Sequence, residues 1–221
     1  GGVESDLMDE KACIEAYEKE IQTAVDAGDV VGASDAYLNR ATIALDTRDY
    51  DEVRKLCQFI IELKVHEGDA WHILAMLEYR ISNHETSIKY FDRALTLGCR
   101  KQPLTHWNKS LPLQSIGRFK EGMTEHAWAE HVPDVQTFYI PQHRFNKPKW
   151  RGHPAPATIH VHAEAGAGDN LSMFRYFPLL LERGYKVHYE ADPSMLSLAA
   201  RNFPDVVCMP RARDYPGVVG T

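Results

Sequence analysis

Apolar positions along roughly the first 130 residues recur with helical spacing, and a longer repeat of about 34 residues is laid over that spacing. One unit reads Trp71, Leu74, Ala75, Ser87, Phe91 and Ala94, with His84 ahead of its second helix. About 34 residues earlier, Tyr37, Arg40, Ala41, Val53, Cys57 and Ile60 take the same slots, with Tyr50 ahead of the second helix. About 35 residues later come His106, Lys109, Ser110, Gly122, His126 and Ala129, with Phe119. Small residues recur where the two helices of a hairpin must approach closely, and large apolar ones recur where neighbouring hairpins stack. A further helix, Lys11 to Ala27, stands ahead of these units and caps the array.

From Val132 to Pro156 the pattern breaks. Pro133, Pro141, Pro148, Pro154 and Pro156 exclude a continuous helix, because each lacks an N–H and restricts the residue before it. Phe138, Tyr139, Phe145 and Trp150 are too apolar for a loose linker, so the expectation is an ordered connector. Beyond it the periodicity alternates between strand and helix. Thr158 to Ala163 reads as a strand, and Asn170 to Arg183 as a helix with its apolar face between Leu171 and Leu181, ended by Gly184. Lys186 to Glu190 is a second strand, Pro193 to Asn202 a helix with Pro at its start, and Asp205 to Met209 a third strand. Strands separated by helices predict a parallel sheet. Three strands make a small sheet, and such sheets normally carry helices on both faces, so the α/β part is expected to be incomplete and the chain cut from something longer.

Charge divides the chain as well. Residues 1–52 hold 14 acidic and 4 basic residues, a net of −10, whereas residues 132–221 hold 8 acidic and 10 basic, a net of +2. An acidic first third argues against nucleic acid as a partner, since phosphate contacts need Lys and Arg; a solvated helical surface is the plainer reading. Cys13, Cys57, Cys99 and Cys208 form no C-x-x-C pair, which favours a reducing compartment and hence the cytoplasm. No apolar run approaches membrane-spanning length.

The slots quoted above resemble the tetratricopeptide repeat (TPR) over roughly Lys11 to His131. Glu78 stands where that family usually has an aromatic, and Arg40 and Lys109 stand where it usually has Leu. The resemblance implies a concave groove lined by the first helix of each pair, at Leu38, Thr42, His72, Met76, Trp107 and Leu111. Such a groove suits an apolar or aromatic segment of a protein or peptide partner. Met76 and Leu111 read equally well as core.

A second resemblance rests on an ordered set of motifs. Phe119-Lys-Glu-Gly122 with Trp128, Pro148-Lys-Trp150-Arg-Gly152, and His162-Ala-Glu164 with Gly166-Ala-Gly168-Asp169 come first. Arg175-Tyr176-Phe177-Pro178-Leu-Leu, Arg183-Gly184 and Val187-His-Tyr-Glu190 follow. This stretch resembles bacterial TPR proteins whose C-terminal half is a GT-B-type glycosyltransferase-like domain related to the heptosyltransferases. Ala165, Ala167 and Asn170 depart from the usual Gln, Leu and Thr, which bears on activity more than on fold. The implied fold is mostly α: a TPR-like α-solenoid over 1–132, a Pro/aromatic connector over 133–157, and the first, incomplete part of a Rossmann-like domain over 158–221.

In those relatives the Asp at the first strand–helix turn is the candidate base that deprotonates the acceptor hydroxyl, a role that maps onto Asp169. His162, Glu164, Gly166, Gly168 and Asn170 would line the acceptor side, the glycines turning tightly and letting substrate approach without Cβ clashes. Asp directly ahead of a helix is also among the best N-caps, and the two roles are compatible. The loop is no dinucleotide fingerprint, because Leu171 occupies the third glycine position, and no Gly-Lys-Ser/Thr follows it as in a P-loop. His160, His162 and Glu164 alternate along one strand, but metal hydrolases built on such pairs use a much larger barrel, so no metal is expected. No cofactor is expected in this chain, because the resemblance puts the sugar-nucleotide donor in a second Rossmann domain; without it these residues are expected not to transfer sugar. The other reading is a non-catalytic interaction module with a structural α/β segment.

Overall fold

The computed structural model describes residues 2–133, 150, 152, 154–163 and 166–210, with side chains from residue 12 onward. The chain divides into two compact units, residues 1–132 and 133–221. The first is helical: α1 (Gly2–Asp26), α2 (Val30–Asp46), α3 (Tyr50–Leu63), α4 (Glu67–Arg80), α5 (His84–Thr96), α6 (Gln102–Ser115) and α7 (Phe119–His126), followed by a 3-10 turn at Ala127–His131. Each helix packs on the next, and α2 also touches α4 as α4 touches α6. No helix among the described residues is long and apolar enough to cross a membrane.

One device ends most of these helices. After α2 the N–H of Arg48 donates to the Leu45 carbonyl and that of Asp49 to Ala44, the paired bonds of a Schellman turn. The same pair follows α4 (Ser82 to Tyr79, Asn83 to Glu78) and α6 (Gly117 to Gln114, Arg118 to Leu113). The geometry demands a left-handed residue in the middle, and Gly117 adopts φ +80° at no steric cost. Arg48 and Ser82 hold φ of 65° and 66° despite their Cβ atoms. Ser82→Gly should therefore raise the denaturation midpoint by an amount worth about 0.5–1 kcal/mol, the αL penalty less the entropy gained by the unfolded chain. An unchanged or lower midpoint would show that the Ser82 side chain carries a contact worth the strain.

Burial repeats with the sequence. Ala41, Ala75 and Ser110 are fully buried, as are Val53 and Ser87, and Gly122 is buried at the equivalent place. The Ser87 hydroxyl is satisfied by the Ala75 carbonyl at 2.8 Å. A Cβ at Gly122 would lie 2.7 Å from Gln114 Cγ and 3.3 Å from the Ser110 carbonyl oxygen, so this slot admits little more than hydrogen. The equivalence stops at His126, which is exposed where Cys57 and Phe91 are fully buried, because α7 ends there and the 3-10 turn changes the helical register. α1 starts earlier than the periodicity indicates, at Gly2.

The off-pattern slots are ionic. Arg40 reaches Glu18 at 3.7 Å and Glu52 at 3.6 Å. Lys109 reaches Asp92 at 2.7 Å and Glu125 at 2.9 Å. Glu78, 8% exposed, takes Arg54 at 3.3 Å and the Asn83 amide at 2.8 Å. A charge buried at a Leu or aromatic slot requires such partners, and adjacent helices supply them.

The second unit contains β1 (Thr158–His162), α8 (Ala167–Met173), α9 (Tyr176–Glu182), β2 (Lys186–Ala191), α10 (Pro193–Asn202) and β3 (Val207–Pro210). The sheet is parallel with order β1-β2-β3. Ile159, Val187, Tyr189 and Ala191 point to one face and pack with Phe174, Phe177 and Ala199 from the helices. The single helix expected over 170–183 is two. Pro178 cannot donate to the Phe174 carbonyl four residues back and its ring crowds that carbonyl, so the helix breaks at Phe174 and Arg175. Of the expected connector, 134–149, 151 and 153 lie outside the described residues; Trp150 stands with its ring edge-on to Tyr185 at 5.6 Å.

Candidate functional site at the carboxyl edge of the sheet

The carboxyl ends of β1 and β2 meet where the chain turns into α8. His162 is the register partner of Glu190, and the Ala163 N–H donates to the Glu190 carbonyl at 2.8 Å. Glu164 lies outside the described residues, so its place in the loop is not assigned. The helix begins at Ala167, three residues before the expected start, which puts Asp169 in the first turn and makes Gly166 the N-cap. This corrects the reading of Asp169 as the N-cap itself. Its carboxylate instead reaches back and accepts from the Gly166 N–H at 3.2 Å, the return half of a capping box. Asn170 holds the other side of the same residue, its side-chain amide donating to the Gly166 carbonyl at 2.9 Å. Ser172 Oγ donates to the Asp169 carbonyl at 2.7 Å. Both polar groups of the Gly166 backbone are thus tied to side chains of α8, and Asp169 remains exposed.

The glycines do not act as the sequence argument expects. Gly166 has φ −83° and ψ 169°, a conformation open to any residue, and no left-handed φ occurs at Gly168. Among the described residues an added Cβ at Gly166 would meet only Asp169 Oδ2, at 3.6 Å, and one at Gly168 would meet nothing within 4 Å. Tight turning is therefore not their role. Gly168 sits in a helical turn where Ala would be more favourable by about 0.5–1 kcal/mol, with empty space before it.

Behind the loop the face opposite these helices carries His160, His162, His188 and Glu190. The Glu190 residue is 1% exposed, and His160 Nε2 lies 3.7 Å from its Oε2. The His160 and His188 rings are 6.1 Å apart. Burial pushes His160 below its usual value; the Glu190 charge opposes that shift, while His188 adds to it. Glu190 was not singled out as a site residue, although its alternation with Lys186 and His188 puts it on this face. Among the described residues no group of three or more His, Cys, Asp or Glu has the geometry to hold a metal ion.

The six groove positions of the helical unit separate. Leu38, 5% exposed, belongs to the core cluster with Ala41 and Leu45, so it does not line a groove. His72 is half-buried: Nδ1 is 2.7 Å from Thr105 Oγ1, the Asn108 amide nitrogen is 3.4 Å from Nε2, and the ring meets Phe91 edge-on at 5.5 Å. Met76 packs partly buried against the core. Thr42 is exposed, its hydroxyl donating to the Leu38 carbonyl at 2.9 Å, and Trp107 and Leu111 are half-buried. A helix presents its residues over a full circle, and Leu38 falls on the arc that meets the neighbouring helix.

The chain is a mostly helical protein with a small three-stranded parallel α/β part. Over 93 residues it is 33% identical to Protein FlbA of Caulobacter vibrioides, a match covering 42% of this chain and 15% of that protein. No family model matches the chain, and no solved structure matches it.

Proposed function

We propose that this chain joins a TPR scaffold to the acceptor-side part of a sugar-nucleotide-dependent, GT-B-like glycosyltransferase domain. The observation that carries the reading is the pairing of an exposed Asp169, steadied by the Gly166 N–H, with a helical Gly168 whose side-chain space is open. Ligands of open α/β folds bind at this carboxyl edge. In the reaction Asp169 takes the proton of the acceptor hydroxyl as that oxygen bonds the anomeric carbon and the nucleotide departs with the electrons of the broken bond. In this reading Asn170, one residue on, and His162, half-buried at the end of β1, belong to the acceptor side. In the proteins this chain resembles the donor is held by a second Rossmann domain, so in this reading transfer depends on that domain as well as on this loop. The helical unit takes a protein or peptide partner.

The test uses the longest natural polypeptide that contains this chain. Asp169→Asn should lower transfer by about 100-fold with the melting temperature nearly unchanged. Gly168→Ala should leave stability equal or slightly higher, because the methyl meets nothing, yet lower transfer by blocking the acceptor. If transfer occurs and neither substitution touches it, the assignment of this loop fails.

A second reading, a non-catalytic interaction module, is favoured by the fact that the Asp169 carboxylate already has a structural task at the helix start. Under it no variant or parent transfers sugar, and Gly168→Ala simply stabilises the fold.

A further inference from the structure

We propose that the face shared by α2, α4 and α6 takes an uncharged apolar or aromatic segment from within a partner protein, and discriminates against acidic segments and C-terminal carboxylates. The proposal rests on the reading that the helical unit binds a protein or peptide, and it names the chemistry of that partner. The three helices lie side by side, α4 between α2 and α6, and no other helix of the unit packs across all three. Thr42, Met76 and Leu111 take equivalent slots on them, with Trp107 one turn before Leu111, and none of the four is buried. One turn before Thr42, Leu38 belongs to the core, and one turn before Met76, His72 is held by Thr105 and Asn108. The apolar part of this face therefore lies on α4 and α6, at Met76, Trp107 and Leu111.

Charge selects the occupant. Each of α2, α4 and α6 carries one Lys or Arg, and each of these is engaged by a neighbouring helix. Arg40 takes Glu18 and Glu52, and Lys109 takes Asp92 and Glu125. Both side chains are only 14% exposed, so neither can swing out to meet a ligand. Arg80 donates to Asp46 at 2.8 Å and to the Leu45 carbonyl of α2. An acidic segment thus finds no free cation on these helices, and covering its carboxylate without a partner carries the full cost of desolvation.

A cationic segment gains as little. Asp35 and Asp69 are held by Arg100, Asp46 by Arg80 and Glu78 by Arg54. Glu67 stands in the first turn of α4, about two and a half turns from Met76. A neutral segment with Leu, Met or aromatic side chains covers Met76, Trp107 and Leu111 and leaves every ion pair in place. It comes from within the partner's chain, because a chain end brings a charge of its own.

The experiment follows backbone amide shifts of the isotope-labelled chain at about 0.5 M salt, where the net charge of the unit is screened. The probe is an acetylated, amidated peptide alternating Leu and Trp with Ser and Gln. Two further versions replace the Ser residues by Asp or by Lys. The neutral peptide should give saturable shifts at Thr42, Met76, Trp107 and Leu111, and both charged versions should bind at least about tenfold more weakly. Thr42→Glu, at an exposed position, should weaken the neutral peptide to a similar degree with the melting temperature nearly unchanged. Equal or tighter binding of either charged version overturns the charge selection and leaves the partner reading standing. Saturable shifts confined to other residues overturn the assignment of this face. Absence of saturable shifts with all three peptides overturns the proposal together with the partner reading beneath it.

Discussion

Acidification from pH 7 to pH 4 should destabilise the helical unit by up to roughly 3 kcal/mol through His72 alone. Burial lowers this imidazole from its ordinary 6.5 to about 4; Asp69 opposes the shift and Lys101 adds to it. The geometry explains why the neutral form is held. Thr105 and Asn108 of α6 meet the two ring nitrogens, and Phe91 of α5 closes one side. The folded-state value lies below the unfolded one, so the unfolded chain takes up the proton first. The contribution is fully present above about pH 6.5, declines as pH falls, and is gone by about pH 4. Denaturant midpoints at pH 7.5 and pH 4 for the parent and for His72→Asn isolate the effect. The variant should lose stability at pH 7.5 and much of the difference between the two pH values. If both proteins respond equally to acid, His72 is not the group responsible.

Gly68→Ala should destabilise by about 2–3 kcal/mol, an unusually large effect for adding one methyl group inside a helix. The Cβ would stand 2.7 Å from Cys99 N, 2.9 Å from Cys99 Cα and 3.0 Å from the Ala94 carbonyl oxygen. All three are backbone atoms of the turn that ends α5, where Cys99 N–H already donates to Ala94. No rotamer can relieve the contact; either α4 shifts or the turn opens. Gly98→Ala is the control. It sits at φ +75° with nothing within 4 Å of its Cβ position, so it should cost only the left-handed strain, about 1 kcal/mol. Equal losses for the two would mean that backbone conformation, not the approach of α4 to α5, governs Gly68.

Periodicity made the helical part legible in unusual detail because the burial requirement recurs with it. Ala41, Ala75 and Ser110 are small for one reason, the closeness of paired helices, and that reason leaves a mark at each repeat. Alternation located β1 and β2 for the same kind of reason: a covered face and a polar face follow from the pleat. The Schellman turns were less legible, since Arg48 and Ser82 stand where glycine would announce the left-handed residue.

The site was legible as a place more than as a geometry. That a loop follows β1 and leads into a helix could be read from His162 to Asn170, but the start of α8 could not. Ala167 and Gly168 are weak signals for helix, and only the bonds from Asp169 and Asn170 to Gly166 draw them into its first turn. Leu38 was misplaced on a groove because spacing along one helix does not say which neighbour its arc will meet.

By itself, then, the sequence determined the kinds of element in each part and their order, apart from the break between α8 and α9, and the small, large and charged slots that repeat, because these follow from local periodicity. Only the tertiary structure decided the partners of Arg40, Glu78 and Lys109, the closeness that holds Gly68 to glycine, the neutral state of His72, and the open space before Gly168. Each of those depends on atoms brought together from distant parts of the chain, and distance along a sequence carries no record of distance in space.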